Sequence, residues 1–129
     1  MQTRRIRREA FGELVTMIDG GDGGPARVTA RGELDIASSA AFGIELARLI
    51  GERGPDVVID VSGLIFCDAR GLAALVAADE LARRHGGAVT LTGPRPQMAK
   101  ILRLTGLDRR FAPARTPVRR GGAPGTPTP

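Results

Sequence analysis

The sequence predicts a single α/β domain with elements in the order β-β-α-β-α-β-α. Three observations carry that reading. Short β-branched and apolar runs alternate with stretches whose apolar residues recur every three or four positions. Gly and Pro fall at the boundaries between them. At 129 residues the chain is long enough for one core and too short for two. Strands that alternate with helices imply parallel neighbours joined by right-handed crossovers.

The elements follow in order. Glu13 to Ile18 reads as a first strand and Ala26 to Leu34 as a second, joined by the turn DGGDGGP from Asp19 to Pro25. In the second strand Val28, Ala30 and Gly32 alternate with Arg27, Thr29 and Arg31, as in a sheet with one buried face. Ser38 or Ser39 can cap a helix that runs to about Glu52, with Phe42, Leu46, Leu49 and Ile50 as its buried stripe and Gly51 or Gly54 at its end. Val57 to Val61 reads as a strand buried on both faces, interrupted at Ser62 and Gly63 and resumed at Leu64, Ile65 and Phe66.

From Leu72 the period becomes helical. Leu72, Leu75, Val76 and Ala82 share one face, while Asp79, Glu80, Arg83 and Arg84 are expected to point away. Asp68 stands at the N-cap position, where its carboxylate can accept from a free first-turn N–H. Gly86 and Gly87 stop this helix, Ala88 to Thr92 forms a strand, and Gly93 and Pro94 open a last helix with Met98, Ile101, Leu102 and Thr105 on one face.

The net charge of +5 is unevenly placed. Arg4, Arg5, Arg7, Arg8, Arg115, Arg119 and Arg120, offset only by Glu9, give the two ends +6 and leave about −1 on residues 11–112. The expected organisation is a basic segment at 1–10, a domain at 11–112 and a disordered Pro/Gly/Arg-rich tail at 113–129, which lacks the apolar surface to offset its ordering entropy. Four Phe and no Trp or Tyr leave little for base stacking, so direct nucleic-acid binding is not expected. A single cysteine fits a reducing cytoplasm, and no apolar run approaches the roughly 18 residues of a membrane span.

Catalytic and metal chemistry find no constellation. His85 lies beside Arg83 and Arg84 at a helix C-terminus, which suits a solvated or capping role. Cys67 reads as a buried apolar cysteine; no histidine stands near it in sequence to act as a base. One His and one Cys cannot make a metal site, and phosphate-cradling glycine motifs are missing. The chain is therefore read as a binding protein without a cofactor, not an enzyme.

Three motifs in order, V-I-D-V-S-G followed by D-x-x-G-L-x-x-L-V from Val58 to Val76, G-E-L-D from Gly32 to Asp35, and L-x-L-T-G-L-D-x-x-F from Leu102 to Phe111, resemble the STAS domain of bacterial anti-sigma factor antagonists. The resemblance covers about 100 residues, Phe11 to Phe111. It implies a mixed, mainly parallel sheet with helices mainly on one side. It also implies a partner, an anti-sigma factor of the ATPase/kinase type, whose capture releases a sigma factor. Asp35, Ser38, Asp68, Ala69, Arg70, Gly71 and Leu72 fall at the partner-binding positions.

In that family the turn usually reads Asp-Ser-Ser-Gly or Asp-Ser-Thr-Gly, and its second hydroxyl is phosphorylated. Here Arg70 holds that position and Ala69 precedes it, so neither offers a hydroxyl. A phosphate is favoured at a helix N-terminus, whereas a cation there opposes the dipole. Arg70 is either a solvated side chain at a degenerate site or an interface arginine that contacts an acidic or phosphate-bearing surface. Asp35 and Ser38 are equally open to reading as turn and cap residues. The rival expectation is a scaffold or accessory role in a larger assembly, such as a stressosome-like complex or a transporter ATPase. Nucleic-acid binding through the basic ends is the third. The oligomeric state is not legible.

Overall fold

The computed structural model describes residues 6–19 and 23–112. Along the chain these form β1 (Ile6–Phe11), β2 (Leu14–Asp19), β3 (Ala26–Leu34), α1 (Ser39–Arg53), β4 (Asp56–Cys67), α2 (Ala69–Arg84), β5 (Ala88–Thr92), α3 (Pro96–Thr105) and α4 (Leu107–Arg110). The strands lie side by side in sequence order. The β1–β2 and β2–β3 ladders are antiparallel, and β3–β4 and β4–β5 are parallel. The α/β fold stands as expected, with two additions: a strand at the front and a short helix at the end.

The added strand corrects the reading of residues 1–10 as a solvated arm. Ile6 to Ala10, with Phe11, pair with β2 through a two-residue loop whose first residue, Gly12, has φ 59°. Tight hairpins need positive φ there, and glycine supplies it at little cost. With β1 present, the sheet is evenly mixed rather than mainly parallel. Residues 1–5 and the tail from Pro113, expected to be disordered, lie outside the described residues, as do 20–22 of the glycine turn.

One face of the sheet is the core. Leu14, Ile18, Val28, Ala30, Val57, Ile59, Val61, Val89 and Leu91 are buried there. Phe42, Leu46, Leu49 and Ile50 of α1 and Leu75, Ala78 and Ala82 of α2 are buried with them in one cluster. On the opposite face Val15, Met17, Thr29, Val58, Asp60 and Thr90 remain half-exposed. Val57 to Val61 is thus buried on one face only. Nor does β4 break at Ser62: it is continuous, and two register shifts against β3, between Thr29 and Arg31 and between Gly32 and Glu33, absorb the irregularity. It pairs with β5 only from Asp56 to Asp60, and its last residues run beyond that strand.

Asp79 overturns an expectation. The sequence pattern puts it on the solvated face of α2, but its side chain is fully buried. On a 3.6-residue repeat, position 79 falls in the same stripe as Leu75, Ala78 and Ala82, and its polarity concealed this. Oδ1 accepts the N–H of Val89 at 2.8 Å. Oδ2 accepts from Nε of Arg83 and of Arg110, each at 2.7 Å.

The C-terminal motif closes the domain. Helix α3 begins at Pro96, later than expected, with proline at its start where no N–H is needed. Met98 and Leu102 are buried, Ile101 is half-buried, and Thr105 is exposed rather than on the buried face. Gly106, at φ 80°, links α3 to α4. Phe111 is buried, and its carbonyl accepts the N–H of Leu91 at 3.0 Å, alongside β5.

Candidate partner-docking turn

The turn between β4 and α2 is held from three sides. Asp68 caps α2 as expected: Oδ1 accepts the N–H of Gly71 at 3.0 Å. Its own N–H donates to Leu34 O at 3.1 Å, and its carbonyl accepts from Leu72 at 3.0 Å. Gly71 is buried because nothing larger fits. A Cβ there would lie 2.7 Å from Leu34 O, 2.8 Å from Leu34 Cγ and 3.0 Å from Cys67 Sγ. The glycine of the motif thus lets the first turn of α2 press onto the end of β3.

This pinning leaves Ala69 and Arg70 exposed and Leu72 half-buried. The first turn of α2 contains no acid, and among the described residues Arg70 has no ion-pair partner. Ala69, Arg70, Ala73 and Ala74, with Ser39 and Ala40 of α1, line a shallow depression of about 420 Å³. On its other side the turn adjoins a cleft of about 430 Å³ lined by Leu64, Phe66, Cys67, Asp68, Met98 and Ile101. Phe66, at 48% exposure, and Ile65, at 59%, are large apolar side chains left facing solvent there. The apolar run from Leu64 to Phe66 predicts a buried strand, and its composition carries no sign of this exposure.

Asp35 and Ser38 form the neighbouring turn. Asp35 is half-buried, and its Oδ1 accepts the N–H groups of Ala37 at 3.0 Å and Ser38 at 3.2 Å. Ser38 is fully buried. Its hydroxyl accepts from the N–H of Asp35 at 3.0 Å and lies 3.1 Å from Glu33 O and 3.2 Å from Asp35 Oδ1, to which it can donate. Ser38 occupies the N-cap position of α1 without capping it through its side chain. It staples the turn shut and has no surface to offer a partner.

Cys67, half-buried beside Asp68, has its thiol pushed up to about 12, first by burial and then by the Asp68 charge. It stays protonated at neutral pH and is a poor nucleophile. His85 is exposed at the C-cap of α2, the far end of that helix from the turn. Among the described residues no group of three or more His, Cys, Asp or Glu side chains could hold a metal, and no helix is long and apolar enough to cross a membrane. What the turn presents is a surface of small side chains and the Arg70 guanidinium, beside a largely apolar recess that Arg95 also lines, all suited to binding.

Residues 19–115 match the family described as Mlab, STAS domain. No curated protein matches. Among solved structures, an anti-sigma factor antagonist from Mycobacterium paratuberculosis is 30% identical, over 76% of this chain and 82% of that one, with a TM-score of 0.61. The antagonist SpoIIAA in its unphosphorylated form, 16% identical over 92% and 99% of the two chains, has a TM-score of 0.64. A murine Slc26a9 anion transporter shares the fold over 78% of this chain and 16% of its own, at 23% identity and a TM-score of 0.55. The matched span takes in β3, the Asp68–Leu72 turn and the C-terminal motif that closes on Phe111, and the chain belongs to the STAS domain family.

Proposed function

We propose that this STAS domain is an antagonist-type docking module. It binds an anti-sigma factor of the ATPase/kinase type through the surface made by Asp35, Asp68, Ala69, Arg70 and Leu72, and so frees a sigma factor. Ser38 and Gly71 act from beneath by fixing the shape of that surface. The observation that carries this reading is the exposed guanidinium of Arg70, without an ion-pair partner among the described residues, in the first turn of a capped helix beside a shelf of small side chains. A planar fork in that place suits a carboxylate or phosphate of a partner. The likeness to the anti-sigma factor antagonist from Mycobacterium paratuberculosis supports an anti-sigma factor as the partner.

The module is constitutive at this turn. Phosphorylation there would need a hydroxyl at position 69 or 70, and Ala69 and Arg70 have none. Arg70 puts positive charge where a phosphorylated relative would carry negative, so the contact it makes is not reversed by a kinase. The same departure favours a second reading, an accessory subunit of a larger assembly that has no use for a phosphorylation switch.

Affinity capture with the tagged full chain, beside Asp68→Ala and Arg70→Glu, tests both. An anti-sigma factor captured by wild type and lost with Arg70→Glu supports the antagonist reading. Capture of a transporter ATPase or of other STAS proteins replaces it with the second. Capture indifferent to both substitutions refutes the placement of the interface.

A further inference from the structure

The sheet face opposite α1 and α2 is basic along part of its width. In the β1–β2 and β2–β3 ladders Arg8 stands opposite Met17, and Val15 opposite Arg31. Paired residues point to the same face, and here it is the face away from buried Leu14 and Ile18. Arg8, Arg31 and Arg95 line a groove of about 530 Å³ together with Val15, Met17 and Ile65.

Two details show how the arginines are held. Gly63 is the register partner of Arg31, and a Cβ on it would come within 2.7 Å of Arg31 Cγ. The glycine therefore makes room for the Arg31 stem to lie across β4. Arg95 Nε donates to Ser62 O at 3.0 Å, which anchors the guanidinium and leaves its terminal nitrogens for a ligand.

The charge in this groove is net positive, three guanidiniums against one carboxylate. Elsewhere Arg7 and Arg48 meet Glu45, and Arg83 and Arg110 meet Asp79. Among the described residues Arg8, Arg31 and Arg95 have no carboxylate partner, and the groove contains a single carboxylate, the exposed Glu13. Three forked donors over an aliphatic floor suit a ligand with both carboxylates and aliphatic side chains. A nucleobase would find no aromatic ring to stack on, and a flat bilayer cannot follow a recessed floor.

We propose that this groove, which shares Ile65 and Arg95 with the cleft beside the turn but does not include Arg70, is a second docking site for an acidic, extended segment of a protein partner. The carboxylates of the segment engage Arg8, Arg31 and Arg95, and its alternate aliphatic side chains cover Val15, Met17 and Ile65.

The test is fluorescence anisotropy of the full chain with a short labelled peptide that alternates glutamate and leucine. Arg8→Glu combined with Arg31→Glu weakens binding by about tenfold or more, as expected when charge-assisted hydrogen bonds become repulsions. Arg8→Lys with Arg31→Lys weakens it less, Ile65→Ala weakens it with all charges kept, and Arg70→Glu leaves it unchanged. The substituted positions are exposed, and far-UV circular dichroism verifies that each variant folds.

Failure of the wild type to bind the peptide overturns the proposal. So does binding indifferent to the double reversal, equal binding of a lysine–leucine peptide, or dependence on Arg70. Arginine-dependent binding to phosphatidylserine vesicles in place of the peptide also overturns it, in favour of a membrane surface. Because Arg70→Glu is one arm, failure here is distinguishable from failure of the antagonist reading.

Discussion

Asp79 and Val89 are joined by a hydrogen bond inside the protein: the carboxylate Oδ1 accepts the backbone N–H at 2.8 Å from a fully buried side chain. The other oxygen receives Arg83 and Arg110, so one carboxylate fastens α2, β5 and α4 together. Both arginines keep access to water, at 51% and 28% side-chain exposure, which limits the harm done to them if the carboxylate is lost. The orphaned Val89 N–H and the small void dominate. Asp79→Ala is expected to lower unfolding stability by about 2–3 kcal/mol in urea titration. Asp79→Asn, which can still accept from Val89, is expected to cost less.

Arg70→Glu is expected to raise thermal stability while it abolishes partner binding. A cation in the first turn of α2 opposes the helix dipole, and an anion complements it. The gain is about 0.3–1 kcal/mol, or roughly 1–5 °C in melting temperature for a domain of this size. A melting temperature below wild type would contradict the dipole argument and show that Arg70 supports the fold.

Thr16 is buried on the core face of β2, and its hydroxyl is the one buried side-chain polar atom among the described residues without a hydrogen-bond partner. Valine has nearly the same shape and no polar group to desolvate. Thr16→Val is expected to stabilise the protein by about 1–2 kcal/mol by chemical denaturation. Thr16→Ser keeps the orphaned hydroxyl, removes a methyl group and is expected to destabilise.

Native Cys67 is expected to resist alkylation by iodoacetamide at pH 8 and to react readily once unfolded, as followed by mass spectrometry. Its folded thiol is raised from 9.0 to about 12, so the folded state holds the proton more tightly than the unfolded state. The stability this confers is fully present below pH 9 and is lost as pH rises toward 12. Cys67→Ser should therefore flatten the alkaline fall in stability.

The elements legible in the sequence were those whose signals are local. Ala26 to Leu34 and Ala88 to Thr92 show strand character in their own composition, and Asp68 and Gly71 mark the start of α2 by cap and glycine chemistry alone. Asp79 was misplaced because its partners, Val89 and Arg110, lie ten and 31 residues away. β1 was missed because IRREAF carries no period-two apolar run; its strand character comes from pairing with β2. The resemblance puts Ser38 at the partner surface by its place after Gly-Glu-Leu-Asp, and only the folded turn shows it enclosed. The Arg8, Arg31 and Arg95 groove joins three segments that no sequence spacing brings together.

The outermost strand has a consequence for handling the protein. β1 covers the flank of β2, whose residues Leu14, Thr16 and Ile18 alternate with Val15 and Met17 in a segment suited to pairing with any exposed strand. β1 itself carries Arg7, Arg8 and Glu9, charges that discourage lateral addition by a neighbouring molecule. A truncation starting at residue 11 would leave the core composition untouched and expose that flank, giving a protein that folds but aggregates on concentration.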